Sequence, residues 1–358
     1  MGSVSSTIRK PADAADLAPF WRSLEGPGSA PMQQHSWSQA CWETLPIDGD
    51  LNLVVVTTTP ATGAIAPLVA RSGRLHRLEH LGVRQILEPA DFAYSDPAAL
   101  EQLAGALAKS GSPLLLERLP ADSPTVRAIK EAYRGRGVVS LRPGNAFPRI
   151  VLDEAWREPE RQLNSGRRSD LRRAVRNAEK IGPLQYQVLT PKPDELGPLL
   201  DEAFEIEAAN WKGREGTAMA RDALRSAFYR RYAAAASRDG TLRLCFLRVG
   251  DRAVAMQYAV QCGGSFWLLK IGYREEFSRC SPGMLLIAET IRYAAAQRLS
   301  SYEFLGSAES WTRVWTTDER ASLIVRAYPR SVRGMAALAV DGAGVASRRV
   351  GRIARGGK

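Results

Sequence analysis

Arg279-Cys280-Ser281-Pro282-Gly283 brings together the parts of an anion site. The aromatic and aliphatic run before it, residues 266–273, reads as a buried strand. After it Met284, Ile287, Ala288, Ile291, Ala294 and Ala295 recur at helical spacing, with Ser281 placed to act as N-cap and Pro282 at the first helical position. A helix start offers free amides and the positive end of the dipole, Gly283 lets a ligand come close, and Arg279 adds a forked cation. The same residues also describe an ordinary capped helix after a strand, and spacing alone does not separate the two. Lys270 stands in the otherwise apolar stretch 267–273, where a charge must be paired, exposed on one face, or functional. His76 and His80 have a spacing that faces one side of a helix or of a strand, but no third ligand accompanies them, so no metal site is expected.

The elements that must position these groups follow from period and punctuation. Residues 11–25 suggest a short helix, and a second helical piece carries Trp37, Cys41 and Trp42. Apolar or alternating runs at 51–59, 64–72 and 74–82 read as an antiparallel meander. Helix 98–110, strand 113–118, helix 123–134, strand 137–142 and strand 147–152 follow. The second half opens on a basic helix: Leu171, Ala174, Val175, Ala178 and Ile181 form its apolar stripe, Arg167, Arg168, Arg172, Arg173, Arg176 and Lys180 take much of the remainder, and Gly182 ends it. A strand at 184–190, helices at 193–210 and 220–237, and three strands turning at Gly250-Asp251 and Gly263-Gly264 come next. After the helix at 282 the chain ends with strands at 301–306 and 322–328. The second half thus repeats the order of the first, so a tandem duplication of one mixed α/β fold is expected, with boundaries at 1–150, 151–330 and a basic tail 331–358.

The whole chain sets limits on function. Its 358 residues, 45% hydrophobic and 24% charged, suit two folded domains. Four scattered cysteines, without a Cys-x-x-Cys pair, argue against a disulfide framework or zinc module and fit a reducing compartment. No apolar run approaches the length of a membrane span and the N-terminus lacks an apolar signal core, so the expected location is cytoplasmic. The formal charge of +11 favours polyanionic partners, and the excess gathers at 161–180 and 330–358, although such blocks are commonly solvated surface.

Trp211-Lys212-Gly213-Arg214-Glu215-Gly216, the stretch 270–286 and the stretch 302–315 resemble the CelD/BcsL group of the GNAT acyltransferases, named for an association with bacterial cellulose and exopolysaccharide formation. The resemblance spans nearly the whole chain: the early His-Ser-Trp, the central Leu-Pro-Ala-Asp-Ser-Pro, the Arg-rich helix, the Trp-Lys-Gly loop and the Ser-Pro-Gly turn come in the expected order. It implies a tandem GNAT-like fold of two similar halves, related also to FemABX aminoacyl transferases, with an acyl-CoA site in the C-terminal half. In that family the pyrophosphate of acetyl-CoA or another acyl-CoA rests on a turn equivalent to Arg279 to Met284, which implies Arg279, Ser281, Gly283 and Met284 as cofactor-binding residues. The turn here departs from the wider pattern by carrying one Gly and a Pro.

Acyl transfer needs a deprotonated acceptor, a donor for the developing oxyanion and an escape route for the thiolate. Glu207, which shares a helix face with Trp211, is a candidate base. Lys212 could bind an anionic group or polarise a carbonyl, or be a surface lysine favoured by a helix end. Lys270 is a further catalytic candidate, and the resemblance implies Tyr273 as proton donor to the thiolate. Trp211, Glu309 and Trp311 are the substrate-binding candidates. In the segment of Tyr302, Glu303, Glu309 and Trp311, Ser310-Trp311-Thr312 replaces a family Tyr-Lys element.

The expected activity is acyl-CoA-dependent N- or O-acyl transfer to a sugar, a nucleotide sugar or a related envelope precursor, without metal and without a covalent enzyme intermediate. One alternative is a FemABX-like transferase that uses aminoacyl-tRNA held by the basic helix and tail. Another is a degenerate scaffold that binds a partner at the membrane surface through that tail, whose loose apolar face is interrupted at Gly342 and Gly344.

Overall fold

The apolar runs of the sequence become strands of two mixed sheets in the computed structural model, which describes residues 4–73, 75–209 and 222–355, the side chains of residues 12 and 344–355 excepted. The strands before residue 145 are β1 (Val4–Ile8), β2 (Gly49–Thr59), β3 (Thr62–Arg71), β4 (Leu78–His80), β5 (Ala93–Tyr94), β6 (Leu114–Pro120) and β7 (Gly137–Pro143). Then come β8 (Phe147–Val151), β9 (Leu184–Leu189), β10 (Leu242–Val249), β11 (Arg252–Cys262), β12 (Ser265–Tyr273), β13 (Ser301–Glu303), β14 (Glu319–Arg320) and β15 (Ser322–Pro329). The helices are α1 (Pro11–Ala15), α2 (Ala18–Ser23), α3 (His35–Thr44), α4 (Val83–Ile86), α5 (Pro97–Lys109), α6 (Pro124–Tyr133), α7 (Ser165–Glu179), α8 (Leu196–Ala208), α9 (Ala223–Arg238), α10 (Pro282–Ala296) and α11 (Val332–Arg355).

Among the described residues one sheet runs β1-β2-β3-β4-β6-β15-β7, with β5 paired to β3. The other, taken from its opposite edge, runs β9-β10-β11-β12-β13-β8-β14. The two orders match place by place, each with one parallel pair, β4 with β6 and β12 with β13, and each pair joined by a crossover that contains a long helix, α5 or α10. The duplicated mixed α/β plan is therefore present. The halves are not contiguous in sequence, however: the next-to-last place in each sheet is filled by a strand from the other half's end, β15 in the first and β8 in the second.

The compact units accordingly consist of Met1–Glu25, Pro46–Asn145 and Ala321–Lys358, and of Gly26–Leu45 and Ala146–Arg320, which corrects the expected boundaries at 150 and 330. Burial explains both transfers. Val325 and Ala327 of β15 are fully buried in one cluster with Leu103, Leu107 and Leu116. In the second unit α3 sets Trp37 with its ring 4.9 Å from both Phe228 and Tyr232 of α9, edge to face.

The second unit's core joins Leu171, Ala174 and Ala178 of α7 and Leu285, Leu286, Ile287 and Ile291 of α10 to Leu247, Phe266, Leu268 and Tyr302 from the sheet. Each large aliphatic side chain fully buried there stabilises the fold by about 1.5–3 kcal/mol. The Arg-rich stripe of α7 is thus anchored by a narrow apolar face, as its period predicts.

Two local expectations change. The third strand shrinks to Leu78–His80, because His76 adopts a left-handed backbone (φ 44°) and turns the chain before it. His76 and His80 therefore share no strand face; His80 packs edge-on to Phe92 at 5.3 Å, and burial depresses its pKa to about 3. The tail is not separate either. Its helix α11 runs through Gly342 and Gly344, Ala337 is fully buried, and Asp341 accepts hydrogen bonds from Arg77 and Tyr328 at 3.0 and 2.6 Å.

Candidate functional site

The second unit's parallel strands part company. β12 and β13 pair only at Ser265↔Ser301, Phe266↔Tyr302 and Trp267↔Glu303. β12 then continues to Tyr273 on its other neighbour, β11, while the chain beyond β13 turns away through Leu305 (φ 60°) and Gly306 (φ 62°). Beside the free part of β12 lies a cleft of about 270 Å³ lined by Ile271, Gly272 and Tyr273 of β12, Ser281 to Met284 at the start of α10, and Glu309 and Trp311. Among the described residues, peptide groups of β12 past Trp267 have no strand partner on the cleft side, so an extended ligand finds donors and acceptors there.

The start of α10 supplies the anion-binding character. Ser281 occupies the N-cap position, but its backbone is left-handed (φ 43°, ψ 49°) and its side chain makes no capping bond, contrary to the expected cap. Such a conformation in a non-glycine residue costs about 1–3 kcal/mol and is typical of functional turns. The Ser281 carbonyl accepts the amides of Met284 (3.0 Å) and Leu285 (3.2 Å), and Pro282 has no N–H. Among the described residues the amide that remains without a partner in this first turn is that of Gly283. A Cβ at Gly283 would meet only Tyr273 Cδ1, at 3.6 Å, so the space beside this residue and the candidate proton donor is open, and Gly283 lines the cleft.

The equivalent crossover helix of the first unit behaves differently. There Asp96 accepts the Ala99 amide at 2.9 Å, so a carboxylate already fills the place an anion would take. One half of the duplicated fold has an open helix terminus and the other a closed one.

The remaining candidates sort by face. Tyr273, Ser281, Gly283, Met284, Glu309 and Trp311 meet in the cleft, where Trp311 Nε1 donates to Glu309 Oε2 at 2.9 Å. Arg279 lines a neighbouring polar cavity with Arg167, Asp170 and Arg173 of α7; Ser281 and Met284 border both. Lys270 and Gly272 project to the opposite face of β12 from Ile271 and Tyr273, because side chains alternate along a strand. On that face Glu207 of α8 is buried, and a Cβ on Gly272 would lie 2.5 Å from the Glu207 Cα, so this glycine is what admits α8. Lys270 Nζ lies 5.1 Å from the centre of the Tyr229 ring, a cation–π contact. Trp211 and Lys212 lie outside the described residues.

Glu303 was legible only as a member of a segment. It is 4% exposed at the last β12–β13 pair, Ser301 donates to its Oε1 at 2.7 Å, and burial raises its pKa above the usual carboxylate range. Alternation of Ser301 and Glu303 around Tyr302 is the signal that would have pointed both away from the α10 side.

Residues 165–313 match the acetyltransferase (GNAT) domain family. That stretch contains the splayed pair, the turn and the cleft. Three solved structures share the fold across most of the chain. The C-terminal domain assigned to lysylphosphatidylglycerol synthetase from Agrobacterium fabrum has a TM-score of 0.56 at 12% identity, covering 94% of this chain and 97% of that one. A conserved protein of unknown function from Bacteroides thetaiotaomicron gives 0.55 at 11% identity, with 89% and 97% covered. FemX gives 0.55 at 12% identity, with 92% and 97% covered. No curated protein matches the sequence. No described helix is long and apolar enough to cross a membrane.

Proposed function

We propose that the second unit transfers an acyl group from acyl-CoA to an amine or hydroxyl acceptor, and that the acceptor is a sugar, nucleotide sugar or envelope precursor of the kind associated with the CelD/BcsL group. The observation that carries the reading is Gly283, whose amide has no partner among the described residues, at an uncapped helix start that lines the cleft beside β12. Ser281, Gly283 and Met284 fit the pyrophosphate, and the free side of β12 fits an extended amide-containing arm. Bound there, acyl-CoA supplies an activated acyl group as its thioester.

The chain's own residues then divide the work by face. Glu207, on the α8 side of β12, takes the proton of the acceptor as its nitrogen or oxygen bonds to the acyl carbon. Lys270, on the same face, holds an anionic group of the acceptor. On the α10 side the Tyr273 hydroxyl gives its proton to the sulfur as the carbon–sulfur bond breaks. Glu309 and Trp311, tied by their hydrogen bond, wall the cleft.

A second reading, transfer from aminoacyl-tRNA, is favoured by one feature: the exposed arginines of α7 beside the same turn, in a fold shared with FemX. Thermal shift or native mass spectrometry with acetyl-CoA, longer acyl-CoAs and tRNA in parallel separates the two, since a ligand of the native state raises stability by mass action. The expected result is stabilisation by an acyl-CoA; stabilisation by aminoacyl-tRNA alone would reverse the assignment.

A further inference from the structure

On the far side of the Ser281–Met284 turn lies a second cavity, of about 220 Å³, that the transfer chemistry above does not use. Its charged lining comes from two elements: Arg167, Asp170 and Arg173 on α7, and Arg279 before α10. The charges do not cancel. Asp170 accepts a hydrogen bond from Arg173 at 2.7 Å and lies 3.9 Å from Arg167, while the Arg279 guanidinium has no ion-pair partner among the described residues. Three guanidinium groups against one carboxylate leave two positive charges in excess, all on exposed side chains of an anchored helix and a fixed turn. The position of α7 is held by Leu171, Ala174 and Ala178 in the core, and Asn177 Nδ2 donates to the Arg279 carbonyl at 3.3 Å, which ties the two cationic elements together.

A phosphomonoester carries between one and a half and two negative charges near neutral pH and three acceptor oxygens in a geometry that guanidinium forks match. A phosphodiester carries one charge, and a carboxylate offers two oxygens. We infer that this cavity is a phosphomonoester subsite, and that it takes the ribose 3′-phosphate of the acyl donor while the Gly283 amide takes the pyrophosphate. The inference rests on the acyl-CoA reading above and extends it. Continuity supports it: Ser281 and Met284 border both cavities, so one ligand lying across the turn reaches each. Helix α7 thereby gains a purpose that its charge run alone does not reveal, namely discrimination of the phosphorylated donor from unphosphorylated thioesters.

The test compares coenzyme A with 3′-dephospho-coenzyme A by calorimetry, on the full chain and on Arg167→Gln/Arg173→Gln. Both arginines are exposed, so the fold should survive, and circular dichroism checks that it does. The native chain should bind coenzyme A about 10-fold to 100-fold more tightly than the dephospho form. The double variant should lose that preference with its dephospho-coenzyme A affinity unchanged. Asp170→Asn, which removes the competing carboxylate, should strengthen coenzyme A binding alone. Equal affinity of the native chain for the two ligands overturns the subsite while leaving acyl-CoA as the donor. Binding of neither, with tRNA bound in a salt-dependent way that the double variant flattens, overturns both and gives the cavity to a nucleic-acid backbone.

Discussion

Lys270 and Glu303 set ionisable groups in largely buried strands, and their substitution separates function from tolerance. If Lys270 were only accommodated by the Tyr229 ring, Lys270→Met would keep its length, add apolar contact and leave turnover intact. The expected outcome is a melting temperature that holds or rises while turnover falls about 100-fold or more, the scale of a lost catalytic group. Full turnover in the Met variant removes Lys270 from the site. Glu303 makes a prediction about pH. Burial raises its pKa in the folded chain, so the fold favours the protonated form; its contribution to stability is greatest below the ordinary carboxylate pKa and is lost as pH rises through the raised value. Glu303→Gln should therefore gain stability relative to the native chain as pH climbs from about 4 toward neutrality, and the difference should vanish in acid. Melting curves across that range check it; a pH-independent difference would show that Glu303 does not titrate in this window.

At the scale of elements the informative comparison lies within the chain itself. Helices α5 and α10 occupy equivalent crossovers, begin with Asp96-Pro97 and Ser281-Pro282, and differ in whether a side chain closes the terminus. Gly283→Glu places a carboxylate at the open one, where only Tyr273 Cδ1 stands within contact distance, so the helix should form unchanged. Coenzyme A affinity should fall at least about 100-fold by repulsion of the pyrophosphate, with circular dichroism unaltered. Asp96→Ala in α5 is the counterpart: a loss of about 1 kcal/mol of stability and no change in coenzyme A binding. Unchanged affinity in Gly283→Glu would remove the α10 turn from the donor site.

For the whole molecule, the tail decides between donor classes. Asp341 fastens α11 to Arg77 and Tyr328, and Asp341→Ala should cost about 1–3 kcal/mol in denaturant unfolding. Deleting residues from Gly342 onward leaves those bonds in place. Turnover on a small acceptor should then stay nearly unchanged, with only liposome binding reduced, because basic residues near anionic lipid contribute about 1 kcal/mol each. A raised KM for aminoacyl-tRNA in the truncated chain would instead give the tail to nucleic acid.

Sequence by itself determined what is local. The period of α7 and α10, the Pro at the start of α10, the glycines of the hairpins and the apolar runs are properties of neighbours along the chain, and they place Tyr273, Gly283, Glu309 and Trp311 in one neighbourhood once the order of elements is recognised. Tertiary structure alone decided which sheet a strand joins. β8 and β15 are ordinary short strands, and nothing in either run says that its hydrogen-bonding partner lies in the other half of the duplication. It also decided the electrostatics: Ser281 reads as a cap and is held left-handed with its side chain making no capping bond, and the arginines of α7 read as solvated surface until the turn at Arg279 is folded against them. Pairing, burial and convergent charge depend on distances between residues far apart in sequence, and those distances exist only in the folded chain.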